Sequence, residues 1–436
     1  MRPISARFAG LALACLLLGV DPAAQAQADH WVATWATSQT LVRSAAPGGA
    51  RGAPSAAAPA SASPPSPFPG RRFPVPSVLL SLNNQTVRMI VRSTVAGRQA
   101  RIRLSNAFSG TAVTIGAASV ALSRGLAAID TSSSRVVTFG GRRSASIYAG
   151  QVLISDPIEL RVAPLTDLAV SLYLAGEVDA PTNHRFGLRT TYVGGGDVTS
   201  AADIATPAAT GESYYWLAGV DVLAPARTQT IVAFGDSITD GDQSTPNRLT
   251  PWPARLAERL QGNRATAHLG VVNAGISGNR IRGDNNGGLA RLVNDAIAQP
   301  GATWIVLLEG INDITAATRQ PNPSQPFTAD DLIAAYRQVI ARAHLHGIRV
   351  AGGTLTPFGG SSAYSEAGEQ IRVATNEWIR SSREFDAVID FDRAVRDPDN
   401  GARFGARADS PDLLHPGDAG YKLMADAIDL AIFTRR

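Results

Sequence analysis

With 436 residues and 44% hydrophobic content, the chain is too apolar for global disorder and long enough for two domains with sizeable cores. The formal net charge is only +4, the basic residues are almost all arginine with Lys422 the sole lysine, and no basic run is interleaved with aromatics. That pattern excludes a nucleic-acid surface as the organising feature.

The chain opens with the marks of a secretory signal. Arg2 and Arg7 supply the positive charge, and the apolar run from Phe8 to Val20 is too short to span a bilayer. Ala24-Gln25-Ala26 and Ala26-Gln27-Ala28 offer small-residue cleavage sites, so residues 1–28 are expected to be removed. Export to the periplasm or the outside of a bacterium follows, with no stable membrane insertion afterwards. Cys15, the only cysteine, lies inside this apolar run, and Ala12 sits where a lipoprotein signal needs leucine. The mature chain then has no disulfide, no thiolate nucleophile and no Cys-ligated metal.

Trp31-Val32-Ala33-Thr34-Trp35 reads as a strand. A stretch of Ala, Pro, Ser and Gly follows at about residues 44–70, too poor in large apolar groups to pack, and reads as a surface loop. From Val78 to Ala224 the pattern has period two, as in Val87–Arg92, Ala100–Leu104 and Leu168–Leu174. Turn residues recur at Ala96-Gly97, Phe139-Gly140-Gly141 and Ala149-Gly150. Many short alternating strands predict an all-β sandwich-like domain over residues 29–225.

After Pro225 apolar runs alternate with helical patterns. Strands are predicted at Thr230–Phe234, Leu269–Asn273, Trp304–Glu309, Arg349–Thr354 and Ala387–Phe391. Helices are predicted at Trp252–Leu260, Leu289–Ala298, Ala329–His346, Ala367–Ser382 and Ala419–Phe433. This alternation implies a three-layer αβα domain with a parallel sheet over residues 226–436.

A serine hydroxyl attacks a carbonyl only when a base takes its proton, and histidine is the usual base. The imidazole needs a carboxylate to hold its tautomer. Ser237, just past a predicted strand, and the pair Asp412 and His415, between Pro411 and Pro416, fit those roles. An oxyanion needs donors. Gly275 follows a strand and permits close backbone approach, and Asn312 follows another, so its amide can reach the same rim. Asp313 is a rival acid, but a loop-fixing role suits it better. His344 and His346 lie two apart on a helix and cannot share a metal. Tyr214-Tyr215-Trp216 either walls a cleft or packs a core, and Asp240 and Asp242 hold the turn after Ser237. No cofactor or metal is called for by these residues.

These blocks resemble the SGNH (GDSL) hydrolase superfamily. Gly235-Asp236-Ser237-Ile238 is similar to its first block, with isoleucine in the usual leucine position. Gly275 within Asn273–Asn279 matches the second, Gly310-Ile311-Asn312-Asp313 the third, and Asp412-Leu413-Leu414-His415 the fifth. The resemblance implies Ser237 as nucleophile, His415 as base, Asp412 as its orienting acid, and an oxyanion hole of the Ser237 and Gly275 N–H groups and the Asn312 side chain. It implies a serine carboxylic-ester hydrolase, and the flanking residues look most like secreted arylesterases or acylhydrolases found beside polysaccharide-degrading enzymes; with export, that resemblance implies short acyl groups, such as acetyl on a sugar or small alcohol. The nucleophile elbow of α/β-hydrolases fits poorly, because Thr239 stands where that turn needs glycine. A lipid acylhydrolase or acyltransferase with the same site stays open. So does a glycan-binding protein with a vestigial hydrolase domain.

Overall fold

The computed structural model describes residues 28–40, 72–73, 76, 78–284, 286–408 and 410–435. The expected signal peptide, apart from its last residue, and the Ala/Pro/Ser stretch lie outside the described residues.

The period-two segments form two antiparallel sheets. One runs in the order His30–Ala36, Leu217–Ala224, Ala100–Ser105, Val152–Ile154. The other runs Ala209–Gly211, Thr191–Gly195, Gln85–Arg92, Asp167–Leu174, Val113–Gly125, Ala128–Ile129, and two further short strands pair with Val113–Gly125. Val170 lies opposite both Met89 and Val120, so one face of the larger sheet is a continuous apolar surface. That face packs against Ile102, Leu104, Val220 and Val222 of the smaller sheet in a single buried core, the arrangement of a sandwich. Each fully buried Val or Leu there contributes about 1.5–3 kcal/mol relative to exposure. The alternation places Arg88 on the opposite face, yet Arg88 is buried. Its guanidinium donates to the carbonyls of Ala127, Val198 and Ala201, which belong to segments folded over that face.

The second half is a five-stranded parallel sheet: Gln229–Gly235, Leu269–Gly275, Ala302–Leu308, Arg349–Gly353 and Ala387–Ile389. In space the order is second, first, third, fourth, fifth. Both faces are covered, which is why these strands are unbroken apolar runs. The first strand pairs with the second on one side and the third on the other. Gly235 lies level with both Gly275 and Leu308. The chain reverses its direction of travel across the sheet at this point, where open α/β folds leave a crevice beyond the strand ends. Ser237, Gly275 and Asn312 therefore reach one rim because of the strand order.

The helices largely follow the predicted pattern: Trp252–Gln261, Ala329–His344 and Glu366–Ser381. Several segments differ, among them the end of the last predicted strand, where Phe391 begins the short helix Phe391–Val395. Leu289–Ala298 is a short α-helix, Gly288–Leu292, continued by π-type turns over Val293–Ile297. The last predicted helix is two pieces, Asp418–Asp426 and a 3-10 turn at Leu430–Phe433, because the Asp429 side chain caps a new start by accepting from the Ala431 N–H. Ile311–Arg319 is a nine-residue helix absent from the predicted pattern, although Asn312-Asp313 by itself reads as either a turn or a helix cap.

The two halves share side chains. Ala33 and Ala36 of the first β-strand sit in the α/β core. The Thr94 hydroxyl accepts the Val271 N–H at 3.1 Å, on the strand that would otherwise be the open edge of the parallel sheet.

Candidate active site

The first parallel strand ends at Gly235. A Cβ there would stand 2.1 Å from the Leu308 carbonyl oxygen and 2.3 Å from Thr239 Oγ1, so only glycine lets the following turn fold back so tightly. Asp236 caps that turn by accepting the Ile238 N–H at 3.0 Å. Ser237–Asp240 then makes one helical turn, and Gly241, at φ +108°, ends it. Burial pushes the Asp236 carboxyl up to about 7, against the opposing pull of the Ile238 N–H and of His415.

The loop before the last helix delivers the acid and the base. The Ser237 Oγ–H donates to His415 Nε2 at 2.8 Å, and His415 Nδ1–H donates to Asp412 Oδ2 at 2.7 Å. The other oxygen of Asp412 accepts the Leu414 and His415 N–H groups at 3.1 and 3.0 Å and the Ser410 hydroxyl at 2.9 Å. Burial alone would raise the Asp412 carboxyl; the His415 bond and charge and these N–H groups outweigh it and hold the group at about 2. It is thus an anion throughout the neutral range. Leu413, between them, takes φ +55°, a turn conformation that places both backbone donors on one oxygen. All three side chains are buried.

The oxyanion side differs in one residue from the sequence-based expectation. The Gly275 N–H is engaged: it donates to Asn273 Oδ1 at 2.9 Å. Glycine is required there for packing, since a Cβ would lie 2.3 Å from the Asp240 nitrogen. Further along the same loop, Gly278 adopts φ +77°. Its neighbours are committed, the Ser277 N–H to Asp240 Oδ2 and the Asn279 N–H to the Ile276 carbonyl. The N–H groups of Ser237 and Gly278 have no acceptor among the described residues. Asn312 uses one amide hydrogen on the Asn279 carbonyl at 2.9 Å, which leaves the other and sets the side chain beside the Gly278 turn. The sequence signal for Gly278 was a second glycine in Asn273–Asn279, three residues after the one chosen.

Surrounding residues stiffen this loop. Asp313 accepts the Ile281 and Arg282 N–H groups at 2.9 and 3.0 Å, the loop-fixing role expected of it. Arg291, stacked on the Phe234 ring, donates to Asn279 Oδ1, the Ala274 carbonyl and the Gly235 carbonyl. Beneath it lies Glu309, fully buried, with neither oxygen hydrogen-bonded among the described residues. Burial pushes its carboxyl to about 8 despite Arg291 at 3.5 Å, so it is protonated at neutral pH. Asp242 does more than hold a turn, because its Oδ2 lies 3.8 Å from His415 Nε2, on the nucleophile's side of the ring. Tyr214, Tyr215 and Trp216 all pack in the sandwich core, and Tyr214 also lines a cavity of about 110 Å³ between the sandwich and the α/β half. His344 bonds Asp386 on the surface, away from all of this.

A strand-turn serine, a histidine and an acid in one hydrogen-bonded line, with backbone donors beside the serine, define a serine hydrolase of acyl-transfer type. Residues 233–423 match the model of the GDSL-like lipase/acylhydrolase family. Residues 233–423 are thus a GDSL-like lipase/acylhydrolase domain, and the protein is a carboxylic-ester hydrolase. No curated protein matches the sequence. Among solved structures, a mutant acetyl-xylooligosaccharide esterase from Geobacillus Stearmophilus is 22% identical, over 48% of this chain and 95% of its own, with a TM-score of 0.37. The aryl esterase of M. smegmatis is 16% identical, over 46% and 96%, at 0.36. A GDSL-like lipase from Bacteroides thetaiotaomicron is 18% identical, over 47% and 88%, at 0.35.

Proposed function

We propose that this protein is a secreted serine esterase that removes short acyl groups, such as acetyl, from sugar or small-alcohol esters through an acyl-Ser237 intermediate. The observation that carries the mechanism is the unbroken line from Ser237 Oγ through the His415 ring to Asp412. Ser237 Oγ attacks the ester carbonyl while its proton passes to His415 Nε2. The Ser237 and Gly278 N–H groups and the Asn312 amide receive the oxyanion. His415 returns the proton to the departing alcohol, and Asp412 stabilises the imidazolium in between. Water activated by His415 then hydrolyses the acyl-serine. No step calls for a metal. The N-terminal signal-like segment supports export to the periplasm or medium, and the likeness of the motif blocks to secreted arylesterases supports a small acyl group.

The test is hydrolysis of p-nitrophenyl esters from acetyl to octanoyl by the mature protein, by Ser237→Ala, and with chelator present. We expect turnover on acetyl, falling with chain length, insensitive to chelator and reduced at least about a thousand-fold in Ser237→Ala. A preference for octanoyl overturns the short-acyl reading. Turnover that survives Ser237→Ala overturns the mechanism.

A further inference from the structure

One buried histidine is not part of this mechanism and comes from the other half of the chain. His184 lies on the two-residue strand Asn183–His184 of the β-rich region, and its ring reaches the turn that carries Ser237. Its Nδ1–H donates to the Ser38 carbonyl at 2.7 Å. A carbonyl only accepts, so that nitrogen holds a proton and Nε2 is left to face Asp240 Oδ1, at 3.0 Å. One proton lies between Nε2 and Oδ1, shared by an imidazolium–carboxylate or a neutral pair. The second oxygen of Asp240 accepts the Ser277 N–H at 2.9 Å. Asp240 closes the helical turn begun by Ser237, and Ser277 immediately precedes Gly278. A single carboxylate thus ties the nucleophile turn to the loop whose Gly278 N–H has no acceptor among the described residues, and the β-rich region supplies the group that holds it.

We propose that His184 is a positioning residue for ester hydrolysis: through Asp240 it sets the distance between the Ser237 turn and the Ser277–Gly278 loop, so that the β-rich region completes the oxyanion hole. The inference rests on the serine-esterase reading above. Other groups face the pair. Asp242 stands on the same turn as Asp240, Asp295 acts electrostatically on His184, and the Tyr214 ring stacks on it with centroids 6.3 Å apart. Arg291 donates to the Ser38 hydroxyl at 3.2 Å.

The experiment follows the rate at which diisopropyl fluorophosphate labels Ser237, by intact mass, beside kcat and KM for p-nitrophenyl acetate. The full-length mature protein is compared with His184→Ala, Asp240→Ala, Asp240→Asn and the double alanine variant. His184→Ala and Asp240→Ala should each slow labelling and lower kcat ten- to a hundred-fold, with KM within about threefold. In Asp240→Asn the new side-chain amide can still accept the Ser277 N–H and donate to a neutral His184, so this variant should recover most of the loss. The double variant should fall no further than the worse single one. A new ionisation should enter the kcat profile of His184→Ala, where Asp240 stands alone, and vanish in the double variant. Should His184→Ala not fold, the contrast between Asp240→Ala and Asp240→Asn decides the matter. Labelling and kcat of folded His184→Ala within twofold of wild type, or Asp240→Asn as slow as Asp240→Ala, would overturn the inference alone. A wild-type protein that the reagent never labels overturns the serine mechanism and this inference together.

Discussion

Replacing Asp412 by asparagine changes the chemistry of the site while nearly preserving its shape. Asp412 Oδ1 gathers three donors, from Ser410, Leu414 and His415, and Oδ2 takes the His415 Nδ1–H. An asparagine must keep its one carbonyl oxygen on this side, because turning it round would set an NH2 against the Leu414 and His415 N–H groups. The NH2 then faces His415 Nδ1, which has to give up its proton and accept. The proton moves to Nε2, where it meets the Ser237 hydroxyl, and the base is lost. The expected fall in kcat/KM at pH 7 is about 10⁴-fold, the size seen where a triad acid is made an amide, or about 5.5 kcal/mol in the barrier. The fold should persist. Holding the carboxyl at about 2 rather than its ordinary 3.8 stabilises the native state by about 2 kcal/mol at neutral pH. A depressed acid gives that stability above its unfolded value and loses it as pH falls through its folded value. The stability gap between wild type and Asp412→Asn should therefore be present above about pH 4 and close towards pH 2. p-Nitrophenyl acetate kinetics and thermal melts from pH 2 to 7 measure both. Asp412→Asn keeping more than a tenth of wild-type kcat/KM would refute the tautomer argument.

Two further substitutions probe acids the mechanism reads as supporting groups. Asp242→Asn removes a negative charge 3.8 Å from His415 Nε2, which favours the neutral ring. We expect kcat to fall about three- to tenfold and the acid limb of the kcat/KM profile to move to lower pH; an unmoved limb would show that Asp242 does not act on the base. Glu309 must hold a proton in the fold, up to about pH 8, that it loses at about 4.5 when unfolded, so it costs stability increasingly as pH rises across that window. Glu309→Gln removes the titration, and its melting temperature should gain on that of wild type steadily between pH 5 and 8. A pH-independent difference would mean that Glu309 is ionised against Arg291.

Much of the site was legible because its parts are local. The Asp412-Leu413-Leu414-His415 spacing is one turn, and the backbone donors that hold Asp412 lie two and three residues on. Gly235-Asp236-Ser237 is likewise a strand end, a cap and a first helical residue, each chosen by short-range sterics and hydrogen bonding. The unbroken apolar runs after Pro225 and the alternation before it reported sheets buried on two faces and on one. Spelling failed where two local readings compete. Gly310-Ile311-Asn312-Asp313 serves as a turn or as a helix start, and the helix wins because Ile311 and Ile314 are buried in the core. Gly275 and Gly278 are both permissive residues after a strand. What separates them is that one N–H meets Asn273 and the other meets nothing among the described residues.

By itself the sequence pointed to the two textures of the chain and to Ser237, His415 and Asp412 as the residues of the proposed site, because those readings follow from short-range periodicity and side-chain type. Tertiary structure alone decided which donors face the serine, that Asp242 stands by the base, that Arg88 is covered, and that His184 reaches Asp240 across 56 residues. Each of these depends on segments distant in sequence meeting at one point, and a hydrogen bond between such segments is a property of strand order and packing that no local pattern encodes.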